Sequence, residues 1–123
     1  MSNGRHIVIV DDDIVSLDII SYLFEERGYV VHRSADGASA IESVKELKPD
    51  LLLIDLMMPN INGATAVREI RARVNSSLPI IAFTAVDDPA IHQEALAAGC
   101  NLVLTKPCPT DKLMGAVKKF LQN

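Results

Sequence analysis

The sequence predicts a doubly wound α/β domain built on a five-stranded parallel sheet, and three observations lead there. Short, near-continuous apolar runs alternate with segments of helical period along the whole chain. Strands that are apolar at every position belong in a sheet covered on both faces, which is the parallel kind. The length, 123 residues, suits five βα units in one domain spanning the chain, and a composition 49% hydrophobic and 23% charged is that of an ordinary folded protein.

His6 to Val10 reads as the first buried strand, stopped by Asp11, Asp12 and Asp13. Ile14 to Arg27 follows as a helix, with Asp12 or Asp13 as its N-cap and Gly28 as its stop. Tyr29 to Arg33 is a shorter second strand, and Gly37 to Lys48 a helix with Ile41, Val44 and Leu47 inward until Pro49-Asp50 breaks it. Leu51 to Ile54 is the third strand and ends at Asp55. Beyond a loop holding Pro59, Asn60 and Gly63, a third helix carries Val67, Ile70 and Val74 on one face. Pro79 to Phe83 is the fourth strand, ending at Thr84, and Pro89 to Ala98 an Ala-rich helix stopped by Gly99. Asn101 to Thr105 is the fifth strand, ending at Lys106-Pro107. Leu113, Ala116, Val117, Phe120 and Leu121 form the apolar stripe of a last helix.

Composition excludes several classes of function. A net charge of -4 argues against direct binding to nucleic acid or to an anionic membrane surface. The two cysteines, Cys100 and Cys108, make neither a Cys-x-x-Cys pair nor a Cys/His cluster, so no disulfide framework or structural zinc is expected. The N-terminal apolar run is short and ends in acids, unlike a signal peptide, and no stretch approaches the roughly 18 apolar residues of a membrane span. A cytoplasmic protein is expected. His6 and His32 read as packing or surface residues and His92 as solvent-facing; Cys100 reads as a small buried residue.

In a parallel α/β sheet ligands bind outside the carboxyl ends of the strands. Those ends deliver Asp11, Asp12 and Asp13 from the first strand, Asp55 from the third, Thr84 from the fourth and Lys106 from the fifth. Singly, each is an ordinary strand stop, helix cap or solvated turn residue. Together they are crowded carboxylates, which repel one another unless a cation sits among them. Hard oxygen ligands suit Mg²⁺, which is commonly held by one or two carboxylates plus phosphate oxygens. A carboxylate is also a nucleophile toward phosphorus, while a lysine and a threonine offer donors to the transferred oxygens. The set points to phosphoryl transfer onto an aspartate.

Val10-Asp11-Asp12, Asp55 followed by Met58-Pro59 and Gly63, Thr84-Ala85, and Lys106-Pro107 occur in this order along the whole chain. In these motifs the sequence resembles the receiver domains of two-component response regulators, in a single-domain, chemotaxis-regulator-like form. The resemblance implies a flavodoxin-like (βα)5 fold with strand order 2-1-3-4-5, which the alternation of elements alone does not fix. It implies that Asp55 is phosphorylated by a sensor histidine kinase or a histidine phosphotransfer protein, with Mg²⁺ as cofactor. Asp12 then matches the direct metal ligand, Asp11 a second acid acting through water, Asp55 itself a ligand, and Met57 the contributor of a backbone carbonyl. Thr84, Ala85 and Lys106 match the phosphoryl-binding and switch positions, and Asp13 is left as a helix cap. Gly63 is structural, and the Lys106-Pro107 bond is expected to be cis, an isomer whose cost before proline is only about 0.5–1 kcal/mol.

The sequence also departs from the family. The position three before the lysine is usually aromatic and here is Val103; the residue after Lys106-Pro107 is often Phe and here is Cys108. Met57 and Val86 fill the two positions that commonly tune dephosphorylation, and neither can orient water. The expected function is therefore a phosphoacceptor switch with slow autodephosphorylation at most, a downstream protein partner and no output domain, existing as a monomer or weak dimer. Alternatives are an Mg²⁺-dependent aspartate-nucleophile phosphatase, opposed by Met57 where a general acid is needed, and a fragment of a hybrid histidine kinase. A partner-binding domain without phosphorylation is disfavoured by the complete acceptor set. A flavin binder is disfavoured because no phosphate loop follows the first strand.

Overall fold

The computed structural model describes residues 4–58 and 61–122. Each apolar run becomes a strand and each periodic segment a helix: β1 (His6–Val10), α1 (Ile14–Glu26), β2 (Val30–Ser34), α2 (Gly37–Leu47), β3 (Leu51–Ile54), α3 (Gly63–Arg73), β4 (Ile80–Thr84), α4 (Pro89–Ala98), β5 (Leu102–Thr105) and α5 (Thr110–Leu121). The strands are parallel and ordered β2-β1-β3-β4-β5.

Alternation along the central strands divides the interior into two cores. Val8, Val10, Leu52, Ile54, Ile80 and Ala82 face one way, where Ala40 and Val44 of α2, Val67 and Ile70 of α3 and Ala95 of α4 cover them. Ile7, Ile9, Leu51, Leu53, Ile81 and Phe83 face the other, beneath Leu17, Ile20 and Phe24 of α1 and Leu113 and Val117 of α5. Central strands buried on both faces are what the unbroken apolar runs require.

Several expectations need correction. The fourth strand is Ile80–Thr84 rather than Pro79–Phe83, and the fifth starts at Leu102 rather than Asn101. The second strand starts one residue late and ends one late. The Tyr29 N–H donates to the Phe24 carbonyl at 3.2 Å and its ring packs on Phe24, so Tyr29 belongs to the turn closing α1. The β1–β2 pairing then runs from Val30 to Ser34. Leu47, expected inward, is exposed; it lies at the last position of α2, where Ala40 and Val44 already fill the space over the sheet.

Strand ends and helix starts meet at one rim. Four of the five helices open on an Asp or Asn whose side chain accepts a backbone N–H of the first turn: Asp13 from Val15, Asp36 from Ser39, Asn62 from Thr65 and Asp88 from Ala90. These caps tie each helix to the loop leaving the preceding strand and set the edges of the cleft there.

Candidate functional site

The strand order reverses between β1 and β3, so their carboxyl ends flank the crevice where ligands bind in such sheets. Val10 pairs in register with Ile54, which makes Asp11 and Asp55 the next residues out on neighbouring strands. Neighbouring strands lie about 4.8 Å apart. Carboxylate oxygens of Asp11, Asp12 and Asp55 accordingly lie within 4.8 Å of one another, the sole group of this kind among the described residues. The backbone continues the ladder beneath them, with the Asp55 N–H on the Val10 carbonyl at 2.9 Å and the Asp11 N–H on the Ser34 carbonyl at 3.1 Å.

The three acids differ in surroundings. Asp11 is buried and both its oxygens are engaged: Oδ1 accepts the Asp13 N–H at 2.9 Å and Oδ2 lies 2.6 Å from Lys106 Nζ. Asp12 is exposed. Asp55 is half-buried, accepts the Met57 N–H on Oδ1 at 3.2 Å and holds Oδ2 3.5 Å from Lys106 Nζ. Burial is the largest influence on the Asp55 carboxyl and raises its pKa above the ordinary value, with the Asp11 charge adding to the effect. The Met57 N–H and the Lys106 ammonium oppose that rise.

Lys106 reaches the acids from the far side of the cleft. Thr84 pairs in register with Thr105, and the Lys106 N–H donates to the Thr84 carbonyl at 2.7 Å, so the lysine leaves the sheet beside β4. The Lys106-Pro107 peptide bond is cis. Two partners of the ammonium were not anticipated from the sequence: the Ser16 hydroxyl at 3.2 Å and the Phe83 ring, whose centroid is 5.3 Å away. Ser16 was readable, since it lies one turn into α1 from Asp12 and Asp13 and so returns to the same rim.

Thr84 is fully buried, and its Oγ1 accepts the Val86 N–H at 3.2 Å. Ala85 is exposed beside it. Val103 is half-buried against the core under α2, α3 and α4. Met57 is exposed and Val86 half-buried. Gly63 packs so closely under the site that a Cβ there would stand 2.5 Å from the Asp55 carbonyl oxygen. Pro59 lies outside the described residues. Asp13 caps α1 through the Val15 N–H at 3.1 Å, as its place in the sequence suggests.

The remaining candidates lie elsewhere. His6 Nδ1 and His32 Nε2 meet at 2.9 Å on β1 and β2, away from the carboxylates. The His32 pKa is lowered from the ordinary histidine value, first by burial and then by the charge of His6. Cys100 is buried and its thiol is pushed up to about 11, chiefly by burial. Cys108 is half-buried beside Lys106, and both cysteines are free. His92 corrects the expectation of a solvent-facing ring: it is half-buried, with Nε2 2.7 Å from the Val86 carbonyl oxygen.

A cleft with three converging carboxylates, a lysine between two of them and a buried hydroxyl can hold a hard cation and an anionic group together. Comparison with known proteins agrees. Residues 7–118 match the family model of the response regulator receiver domain. The chain is similar to the receiver domain of the sensor histidine kinase PA1611 of Pseudomonas aeruginosa, solved with a magnesium ion coordinated in its active-site cleft; the two are 33% identical, with a TM-score of 0.89 over 96% of this chain and 98% of that one. It is similar to the receiver domain of the Francisella response regulator 1452, at 29% identity and a TM-score of 0.88 over 96% and 97% of the chains. It is also similar to the chemotaxis response regulator CheY4 of Vibrio cholerae, at 27% identity and a TM-score of 0.87 over 95% and 98%.

Proposed function

The chain belongs to the response regulator receiver domain family, and on that premise we propose that it is a phosphoacceptor switch of a two-component phosphorelay with Asp55 as the acceptor. The observation that carries the reading is the convergence of Asp11, Asp12 and Asp55 within 4.8 Å beside the Lys106 ammonium. Asp11 is buried with both oxygens committed within the protein, whereas Asp55 is only half-buried and sits at the cleft between the Met57 N–H and the Lys106 ammonium. One carboxylate oxygen forms the new O–P bond as the P–N bond of a phosphohistidine breaks and the leaving imidazole takes up a proton.

The donor set fits Mg²⁺. Asp12, exposed, is free to ligate directly, whereas Asp11 has both oxygens committed within the protein and suits a supporting role. Asp55 and the Met57 carbonyl complete the protein's share. A cation held by these residues would supply positive charge to offset that of the carboxylates and phosphoryl oxygens. Lys106 neutralises the transferred oxygens on the opposite side, and the Thr84 hydroxyl and Ala85 backbone meet them from β4.

The donor is a histidine kinase or a histidine phosphotransfer protein, and α1 offers it a landing. Ile14, Val15, Ile19 and Tyr22 are each more than half exposed along α1. Val15 and Ile19 also line a groove of about 420 Å³ shared with Lys106 and Cys108, next to the Asp55 cleft. An apolar partner surface seated there holds its phosphohistidine over Asp55. Met57 and Val86 cannot orient an attacking water, so the phosphoaspartate is long-lived and the protein is a signalling domain, not a phosphatase. No helix among the described residues is long and apolar enough to cross a membrane. We place the domain in the cytoplasm, where such donors work.

Intact mass spectrometry tests the reading. Acetyl phosphate with Mg²⁺ adds one phosphoryl group to the protein and none to Asp55→Asn or to protein treated with EDTA. Equal labelling of Asp55→Asn, or full labelling in EDTA, overturns it.

A further inference from the structure

Val86 lies in the loop between β4 and α4, and both of its backbone polar groups are held by side chains from opposite directions. Its N–H donates to Thr84 Oγ1 at 3.2 Å, and its carbonyl oxygen lies 2.7 Å from His92 Nε2. A carbonyl only accepts, so the short contact assigns the proton to Nε2 and makes His92 the donor. His92 is anchored in turn, because its own N–H donates to the carbonyl of Asp88, the residue whose side chain caps α4 through the Ala90 N–H. A continuous chain of hydrogen bonds therefore runs from the buried Thr84 hydroxyl through Val86 to the first turns of α4.

We propose that His92 is a positioning residue that latches the β4–α4 loop to α4, setting the cost of moving Thr84 and carrying that movement into the helix. The coupling half of this proposal rests on Asp55 being the phosphoacceptor; the latch does not. When a phosphoryl group draws the Thr84 hydroxyl toward its oxygens, the Val86 N–H follows or loses its acceptor. The Val86 carbonyl is pinned by His92, so the loop moves only by breaking the 2.7 Å contact or by pulling the start of α4 with it. Val103, short and nearly fixed at χ1, has no ring to rotate into vacated space, which leaves the backbone route through Val86 as the connection on this side of the sheet.

His92 lies on a helix and alanine is the best helix former, so His92→Ala retains the fold. The first measurement needs no phosphoryl chemistry. Nitrogen NMR of the His92 ring is expected to show Nε2 protonated, and His92→Ala is expected to increase fast backbone motion at Ala85 to Asp88. A ring protonated only on Nδ1, or a loop equally rigid in His92→Ala, overturns the latch.

The second measurement titrates beryllofluoride with Mg²⁺. Removing a hydrogen bond that resists the switch is expected to tighten binding by about 3- to 10-fold in His92→Ala while reducing the shift changes in α4. His92→Gln, which keeps an amide donor, is expected to restore part of both effects. Unchanged affinity together with unchanged α4 shifts in His92→Ala overturns the coupling. Failure of the wild-type protein to bind beryllofluoride counts against the Asp55 reading instead, and the ring tautomer still decides the latch.

Discussion

Asp12 and Asp13 show how adjacent identical residues acquire different work. Asp13 spends its carboxylate on the Val15 N–H, while Asp12 is exposed at the mouth of the acidic cleft. Asp12→Asn is therefore expected to weaken Mg²⁺ binding, followed by a metal titration, at least tenfold more than Asp13→Asn. Asp13→Asn leaves an acceptable cap and costs only a few tenths of a kcal/mol in stability, in line with the near-equality of Asn and Asp at such positions. Gly63 acts from beneath. A Cβ would stand 2.5 Å from the Asp55 carbonyl oxygen and 2.8 Å from Leu56 Cα, and both atoms belong to the backbone, so the segment bearing Asp55 has to move. Gly63→Ala is expected to lower stability by about 1–3 kcal/mol in thermal unfolding and to slow phosphorylation of Asp55 by acetyl phosphate.

At the scale of elements, what the sequence disclosed depended on whether one local signal governed the outcome. β1, β3 and β4 are buried on both faces, so their apolar runs name them directly. Asp11, Asp55 and Lys106 directly follow the last residues of β1, β3 and β5, and Thr84 is itself the last of β4, so their placement at one rim was as legible as the strands. β2 lies at the edge with only partial burial, and its start is decided by Tyr29 folding onto Phe24, a contact no periodicity reports. His92 was misread because its partner is a loop carbonyl six residues back, placed there only once the loop has closed. Arg71 is a similar case. From α3 its guanidinium donates twice to the Gly99 carbonyl, at 3.0 and 2.8 Å, and once to Asn101 Oδ1 at 2.9 Å. That Asn101 oxygen also accepts the Ile80 N–H, so one arginine joins α3, the end of α4 and the start of β4. Arg71→Ala is expected to cost about 1–3 kcal/mol in denaturant unfolding. Arg71→Lys should recover little of it, because an ammonium lacks the planar fork that meets two acceptors at once.

For the molecule as a whole, the site works against the fold that carries it. Three carboxylates converge at the rim of a sheet whose interior is otherwise apolar, two of them paired with a single lysine, and the cluster stays net negative. Burial raises the Asp55 pKa, which means that the native state binds a proton there more readily than the unfolded chain does. The stabilising contribution is then present below the unfolded value, near about 3.9, and is lost as pH rises through the higher folded value. At neutral pH the ionised Asp55 of the metal-free protein is a net cost, which a neutral isostere removes. Asp55→Asn is expected to unfold a few degrees higher than the unsubstituted protein at pH 7 without metal, and this advantage should shrink as the pH is lowered toward 4. Mg²⁺ should reverse the ranking, since an ion that binds only the native state adds stability as RT ln(1 + c/Kd) at free concentration c, and the ligand lost in Asp55→Asn raises Kd and reduces that gain. Thermal unfolding of both proteins at pH 4 and 7, with Mg²⁺ and with EDTA, reads all of these terms. An Asp55→Asn protein less stable than the parent at pH 7 in EDTA would mean that its contacts with Met57 and Lys106 outweigh the cost of burying the charge.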